Sequence, residues 1–104
     1  MAIKKQQMSE GSLSHTCLRE IDALKQLADH PNIINLLETY IESENNKKHV
    51  VFIFEYCEQG DLRSFISRYN KKLPLSIVID FTHQIFQGLA FMHDQGFIHR
   101  DLKP

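Results

Sequence analysis

Six consecutive residues decide the class of fold: His99-Arg100-Asp101-Leu102-Lys103-Pro104. Basic side chains lie within two positions of Asp101 on both sides. A single Asp in a loop is usually a turn residue or a helix cap. An acid that can accept a hydroxyl proton, close to a Lys that can neutralise a phosphoryl group, is however the pair of groups that phosphoryl transfer requires.

A second motif lies near the N-terminus, where an acid interrupts the apolar stripe of a predicted helix at residues 13–28. Glu20 is either a partly exposed acid at the edge of that stripe or paired with a cation, since an unpaired buried carboxylate costs about 3–5 kcal/mol. In the strand-like segment before it, the two-residue period puts Ala2 and Lys4 on one face. Lys5 lies on the other face, where a solvated surface charge is expected. We therefore expect a Lys4–Glu20 pair that holds an ammonium group in place for phosphate oxygens.

Between the two motifs, hydrophobic periodicity predicts an α+β chain. Strands are predicted at residues 1–5, 33–41 and 49–56, and helices at residues 13–28, 61–69 and 75–94. Residues 42–48 are predicted to form a polar hairpin turn. The third strand is β-branched and aromatic throughout, which predicts that both of its faces are covered. Three strands with unpaired edges are a poor unit on their own.

Composition excludes several classes of protein. The chain has 104 residues, 42% hydrophobic and 24% charged, with a formal net charge of -1, as in one ordinary globular domain. This charge offers no attraction to nucleic acid or to an anionic membrane. The longest uninterrupted apolar run is far shorter than the ~20 residues of a membrane span, and no signal-peptide core is expected. Cys17 and Cys57 are expected to be reduced, intracellular thiols, and no zinc-ligand spacing occurs.

With these motifs in place, the sequence resembles the eukaryotic protein kinases over essentially its whole length. Ala2-Ile3-Lys4 is similar to the kinase strand motif, residues 99–104 to the catalytic loop, and Glu20 to the acid of the mobile small-lobe helix. The resemblance extends to His30-Pro31-Asn32-Ile33 after that helix and to Phe52-Ile53-Phe54-Glu55-Tyr56 before the hinge. Lys103 after Leu102 indicates Ser/Thr specificity. Residues 18–21, 54 and 87–91 most resemble the cyclin-dependent-kinase-like group.

The resemblance implies an ATP site. Ala2 would cover the adenine ring, and Lys4 would hold the α- and β-phosphates while paired with Glu20. Phe54 would be the gatekeeper behind the adenine. Backbone groups of Glu55 and Cys57 would bind the adenine edge, so their side chains matter less. Asp61 would bind the ribose hydroxyls, a role compatible with its equally expected role as the N-cap of the following helix.

The resemblance also implies catalytic and regulatory roles. Asp101 would accept the proton of the substrate hydroxyl, and Lys103 would steady the γ-phosphate. Arg19 and Arg100 would together receive a phosphorylated residue of the activation segment. A packed core column linking the two lobes would consist of Leu24, Leu36 and His99.

By the same resemblance, the chain is a partial kinase domain. Residues 1–56 would be an incomplete small lobe, 57–60 the hinge and 61–104 the start of the large lobe. The Gly-rich loop is expected before Ala2, and the Asn and Asp-Phe-Gly that hold Mg²⁺ after Pro104, so no metal ligand is expected in residues 1–104. ATP, a protein substrate and a cyclin-like or other activating subunit are the implied partners, in the cytoplasm or nucleus. The alternative is a catalytically dead product that competes for a kinase partner through the helix at residues 13–28.

Overall fold

The computed structural model describes residues 1–9, 14–70 and 72–104. Its elements are β1 (Ala2–Gln7), α1 (His15–Gln26), β2 (Leu36–Glu44), β3 (Lys47–Phe54), α2 (Leu62–Arg68) and α3 (Leu75–Asp94). They form two compact units, Met1–Tyr56 and Cys57–Pro104. Leu13, the predicted first residue of α1, lies outside the described residues. The predicted lobe and hinge boundaries stay predictions.

The first unit is built on a three-stranded antiparallel sheet with the order β1-β3-β2. Its central strand is β3, the segment with the strongest strand propensity. An irregularity in pairing separates Leu36 from Glu38 in β2. The strand predicted at residues 33–41 is shifted, since β2 begins at Leu36 and continues to Glu44. Polar and apolar residues alternate only weakly there, so the bounds of this strand could not be predicted accurately from the sequence.

The hairpin between β2 and β3 is tighter than predicted. The expected turn at residues 42–48 is wrong, because β2 ends at Glu44 and β3 starts at Lys47. Asn45 and Asn46 alone form the connection, with φ values of 51° and 61°. Two consecutive left-handed residues are typical of a type I′ turn, and Asn tolerates that conformation well. The polar residues on either side are therefore strand residues rather than loop.

The core of the first unit lies between α1 and one face of the sheet. Cys17, Val50 and Phe52 are buried together. Partly buried hydrophobic residues pack against them, namely Met8, Ile21, Leu24, Leu36 and Phe54. The hydroxyl of Ser14 caps α1 by accepting the backbone N–H of Cys17 at 3.1 Å. The helix ends at Gln26, slightly before its predicted end, and Asp29 takes a left-handed φ of 67°.

The opposite face of β3 is covered by charged side chains of the neighbouring strands. Val51 is fully buried there, and its cross-strand partners are Lys5 and Tyr40. Lys5 Nζ lies 2.6 Å from Glu42 Oε2 and 3.9 Å from Glu44 Oε2. The hydrogen bond to Glu42 and its negative charge raise the pKa of Lys5. The long side chains shield the strand with their aliphatic parts. Both faces of β3 are thus covered, as predicted.

The second unit consists of α2, α3 and the segment that follows. Phe65 of α2 packs against Phe81 of α3 with ring centroids 5.1 Å apart. α3 has the bounds that the sequence predicts. After it, Gly96 takes a φ of 85°, which suits glycine at the end of a helix. The predicted apolar stripe of α3 is half-buried at Phe81 and at Ile77, Leu89 and Met92, but Ile85 is exposed.

α3 also carries most of the large apolar residues that are exposed in this unit. Its exposed apolar residues are Leu75, Val78, Ile79, Ile85 and Phe86. Among the described residues, it is the one helix long and apolar enough, by length and composition alone, to cross a membrane. This test allows polar residues within the helix, whereas the longest uninterrupted apolar run of the sequence is far shorter. The core helix of a globular protein passes the same test.

We expect a polypeptide of residues 1–104 to self-associate through α3. Ile79 and Phe86 are 60% and 63% exposed, and contiguous exposed apolar area favours association. Changing both to Gln should reduce association without loss of helix content, because neither side chain is buried. The control Ile77→Gln removes a half-buried side chain and should lower stability instead. Light scattering and circular dichroism distinguish the two effects, and a monomeric wild-type polypeptide with a cooperative thermal transition would contradict the prediction.

Candidate functional site

The predicted ion pair between β1 and α1 is present. Lys4 Nζ lies 2.6 Å from Glu20 Oε1. The ammonium group also lies 5.4 Å from the centre of the Phe52 ring, and Phe52 is the cross-strand partner of Lys4. The side chains of Lys4 and Glu20 are 49% and 33% exposed. Glu20 is therefore both paired and at the edge of the apolar stripe, so the cost expected for a fully buried carboxylate does not apply.

Ala2 and Phe54 lie on the same face of the sheet as this pair. This placement follows from the strand register, in which Ala2 of β1 and Leu36 of β2 are the cross-strand partners of Phe54 in β3. Phe54 is half-buried, and its ring lies parallel to that of Phe52 with centroids 6.1 Å apart. A small residue, a cation and an aromatic ring are thus held on one rigid surface. Leu24 and Leu36 pack against the core beside it.

Glu55 has a side-chain role that the sequence analysis missed. Its Oε1 accepts the backbone N–H of Asn35 at 2.8 Å, and its own N–H donates to the Asn35 carbonyl at 3.1 Å. These two bonds join the residue after β3 to the residue before β2. The expectation that the Glu55 side chain matters less concerned the adenine contact and stays a prediction, whereas in the fold this side chain joins two segments. No sequence signal links two residues twenty positions apart in this way.

Cys57 and Cys17 have opposite environments. Cys57, where the resemblance expects a backbone contact to adenine, is an exposed free thiol. Cys17 is a buried residue of α1, and burial raises the pKa of its thiol, with a further contribution from the charge of Glu20. A raised pKa makes Cys17 a poor nucleophile near neutral pH. In the described part of the chain, no group of three or more His, Cys, Asp or Glu residues could hold a metal ion.

Asp61 is the N-cap of α2, as predicted. Its carboxylate accepts the backbone N–H of Ser64 at 2.8 Å. Hydrogen bonding by the side chain of Ser64, and then by this backbone N–H, lowers the pKa of Asp61. At the other end of the same short helix, Arg68 donates to the Gln59 carbonyl at 2.9 Å. The cap orients the carboxylate toward the backbone of α2. Its role toward a ribose stays a prediction.

We expect the cap to make the helicity of α2 depend on pH in the acid range. Because the pKa of Asp61 is lowered in the folded state, the cap stabilises above about pH 3.9, the usual value for Asp, and is lost as pH falls through the lowered pKa. Asp61→Asn keeps an acceptor but does not titrate there. The difference in far-ultraviolet circular dichroism between the two proteins should therefore change below pH 4 and stay constant above pH 5. A difference that does not vary with pH would contradict this.

The segment of residues 99–104 brings its predicted catalytic pair together. Lys103 Nζ lies 3.3 Å from Asp101 Oδ2, and both side chains are well exposed. The backbone N–H of Asp101 donates to His99 Nδ1 at 3.1 Å. Arg100, which lies between His99 and Asp101 in the sequence, takes a left-handed φ of 66°. The ring of His99 is exposed in the described second unit and bonds to its own loop, and its expected place in a packed column between the lobes stays a prediction.

The remaining candidates are divided between the two units. Ala2, Lys4 and Phe54 belong to the first unit, and Asp101 and Lys103 to the second. Arg19 is exposed on α1, while Arg100 follows α3. A joint phosphate site of the two arginines therefore stays a prediction, as does the packed column through His99.

Comparison with known proteins decides the family. A model of the protein kinase domain matches residues 1–104, the whole of this chain. The chain belongs to the protein kinase family. Its α+β architecture, with a three-stranded sheet, α1 and two further helices, is that of a partial kinase small lobe followed by helices.

Among relatives, cell division control protein 7 of Schizosaccharomyces pombe is 40% identical over 99% of this chain and 9% of its own length. Serine/threonine-protein kinase ICK of Rattus norvegicus is 46% identical over 84% of this chain and 13% of its own length. Serine/threonine-protein kinase MAK of Homo sapiens is 44% identical over the same shares. The chain thus spans only about a tenth of the length of these relatives.

Proposed function

We propose that this chain is part of a Ser/Thr protein kinase that transfers the γ-phosphoryl group of ATP to Ser or Thr hydroxyls of proteins. The main supporting observation is the Lys4–Glu20 ion pair of 2.6 Å on the sheet face that also presents Ala2 and Phe54. Two relatives are named serine/threonine-protein kinases, which supports the choice of substrate hydroxyl.

In this proposal, the first unit binds the nucleotide. Lys4 meets the α- and β-phosphates, and Glu20 restricts the ammonium group to the position in which it can do so. Ala2 leaves room for the adenine ring above the sheet, and Phe54 limits the space behind it. Backbone groups of Glu55 and Cys57 bind the adenine edge. The two hydrogen bonds between Glu55 and Asn35 fix the start of that segment.

The second unit supplies the groups that act on the proton and the transferred phosphoryl. Asp101 accepts the proton of the substrate hydroxyl as the oxygen attacks phosphorus. Lys103, 3.3 Å from it, offsets the negative charge of the phosphoryl oxygens. Asp61 binds the ribose. Mg²⁺ supplies charge stabilisation in this family, but the described residues contain no ligand set that fits it.

An activating subunit is the further partner that we propose, at the exposed side of α1, in an intracellular compartment. Leu18 and Arg19 remain exposed there, while Cys17, Ile21 and Leu24 pack on the sheet. The alternative, a competing module that binds a kinase partner through this helix, would use the same exposed side of α1. No observation favours that alternative.

The test is a transfer assay with labelled ATP. We expect the full-length protein that contains this chain to phosphorylate Ser/Thr peptides and not Tyr peptides in the presence of Mg²⁺. A polypeptide limited to residues 1–104 should show no transfer, because its described residues offer no ligand set for Mg²⁺. Mg²⁺-dependent transfer by the short polypeptide alone would contradict the assignment of roles, and an inactive full-length protein would contradict the function itself.

A further inference from the structure

We infer that Arg68 is a positioning residue for the turn at residues 57–61, which carries two of the groups proposed to bind the nucleotide. The inference rests on the proposed function where it concerns ATP. Arg68 Nη2 donates to the Gln59 carbonyl at 2.9 Å. This bond joins the last residue of α2 to the turn that precedes α2, and both belong to the second unit. The turn is therefore tied to both ends of the helix, by the Asp61 cap at one end and by Arg68 at the other.

The guanidinium group of Arg68 is itself held by the packed rings of the second unit. It lies 5.3 Å from the centre of the Phe65 ring, and the face of an aromatic ring attracts a cation. Phe65 packs in turn against Phe81 of α3, with ring centroids 5.1 Å apart. Because a guanidinium is planar, it can stack on a ring and donate hydrogen bonds from its edge at the same time. The donor thus has a defined position relative to both helices, although Arg68 is exposed.

The turn is exposed, and its conformation depends on a glycine. Gly60 takes a φ of 75°, which residues with a side chain rarely adopt. Its N–H donates to the Cys57 carbonyl at 3.1 Å, and the Asp61 carboxylate accepts the N–H of Ser64. Arg68 adds a third bond between these two, at the residue before Gly60. A turn that is restrained in advance loses less conformational entropy when a ligand binds to it, so Arg68 should increase nucleotide affinity.

The experiment compares two single variants of the full-length protein with the wild type. Arg68→Met keeps the aliphatic part of the side chain and removes every donor. Arg63→Met is the matched control, because it removes an equal charge from an exposed arginine of the same helix. Calorimetry measures the binding of ATP and of adenosine, and steady-state rates give kcat. Hydrogen exchange of the Gly60 amide reports the turn whether or not the protein is active, and exchange of the Ser64 amide reports the capped end of α2.

We expect Arg68→Met to weaken the binding of ATP and of adenosine by the same factor, about threefold to tenfold, the equivalent of one hydrogen bond. The factors should agree because the turn is proposed to bind adenine and ribose rather than phosphates. The value of kcat should not change. The Gly60 amide should exchange faster by about the same factor, while exchange of the Ser64 amide should stay as in the wild type. Arg63→Met should match the wild type in binding and in exchange.

Several results would overturn the inference. Unchanged binding of both ligands by Arg68→Met, or unchanged exchange of its Gly60 amide, would show that the turn needs no tether. A loss of ATP binding far beyond that of adenosine would mean that Arg68 meets the phosphates itself. Faster exchange of the Ser64 amide would make Arg68 a support of α2, and an equal loss of binding in Arg63→Met would make charge the cause. If the full-length protein neither binds ATP nor transfers phosphoryl groups, the proposed function fails, and exchange of the Gly60 amide alone decides whether Arg68 holds the turn.

Discussion

Asp101→Asn is expected to lower turnover by about 10²-fold or more, while ATP binds as in the wild type. The carboxylate is the group that we propose as the acceptor of the proton of the substrate hydroxyl, and an amide cannot take that role. The amide keeps the size of the side chain and still offers an oxygen to Lys103, which lies 3.3 Å away. The backbone bond to His99 does not involve the changed atoms. The loss should thus be confined to the chemical step.

Calorimetric ATP titration and single-turnover rates of the full-length protein measure the two quantities separately. Asp94→Asn is the matched control, since Asp94 is an exposed acid at the end of α3. It should leave both binding and rate unchanged. A fall in ATP affinity for Asp101→Asn as large as the fall in rate would show that Asp101 acts in binding, and the proposed role would be wrong.

The ion pairing of β1 and the bounds of the strongest elements were predictable from the sequence. The two-residue period placed Lys4 and Lys5 on opposite faces of β1, and the structure pairs Lys4 with Glu20 and Lys5 with Glu42. The bounds of α3 followed from helical periodicity between Pro74 and Gly96. In each case, a local pattern determines the outcome, because alternation and helical spacing depend on neighbouring residues alone.

Other features depend on contacts between distant segments and could not be predicted. The side chain of Glu55 bonds to Asn35, and β2 is defined by its pairing with β3 rather than by its own pattern. The burial expected for His99 belongs to a column between the two lobes, and it stays a prediction.

Lys4→Met is expected to reduce ATP affinity and kcat/KM together, with kcat/KM falling by about 10²-fold or more. The change removes the ammonium group proposed to meet the phosphates and leaves Glu20 without its partner. Stability should change little. The two side chains are 49% and 33% exposed, so the pair is close to a surface ion pair, and its removal costs about 0–1 kcal/mol. An unpaired acid would lower the free energy of unfolding by about 3–5 kcal/mol only if it were fully buried away from solvent.

Lys5→Met is the matched control, because it deletes an equal charge from the next residue of the same strand. Lys5 pairs with Glu42 and Glu44 on the opposite face of the sheet, away from Ala2 and Phe54. ATP titration, steady-state rates and thermal unfolding of the full-length variants should therefore show loss of nucleotide binding for Lys4→Met alone. If Lys5→Met lost ATP binding and Lys4→Met did not, the nucleotide would lie on the other face. The role proposed for the Lys4–Glu20 pair would then be wrong.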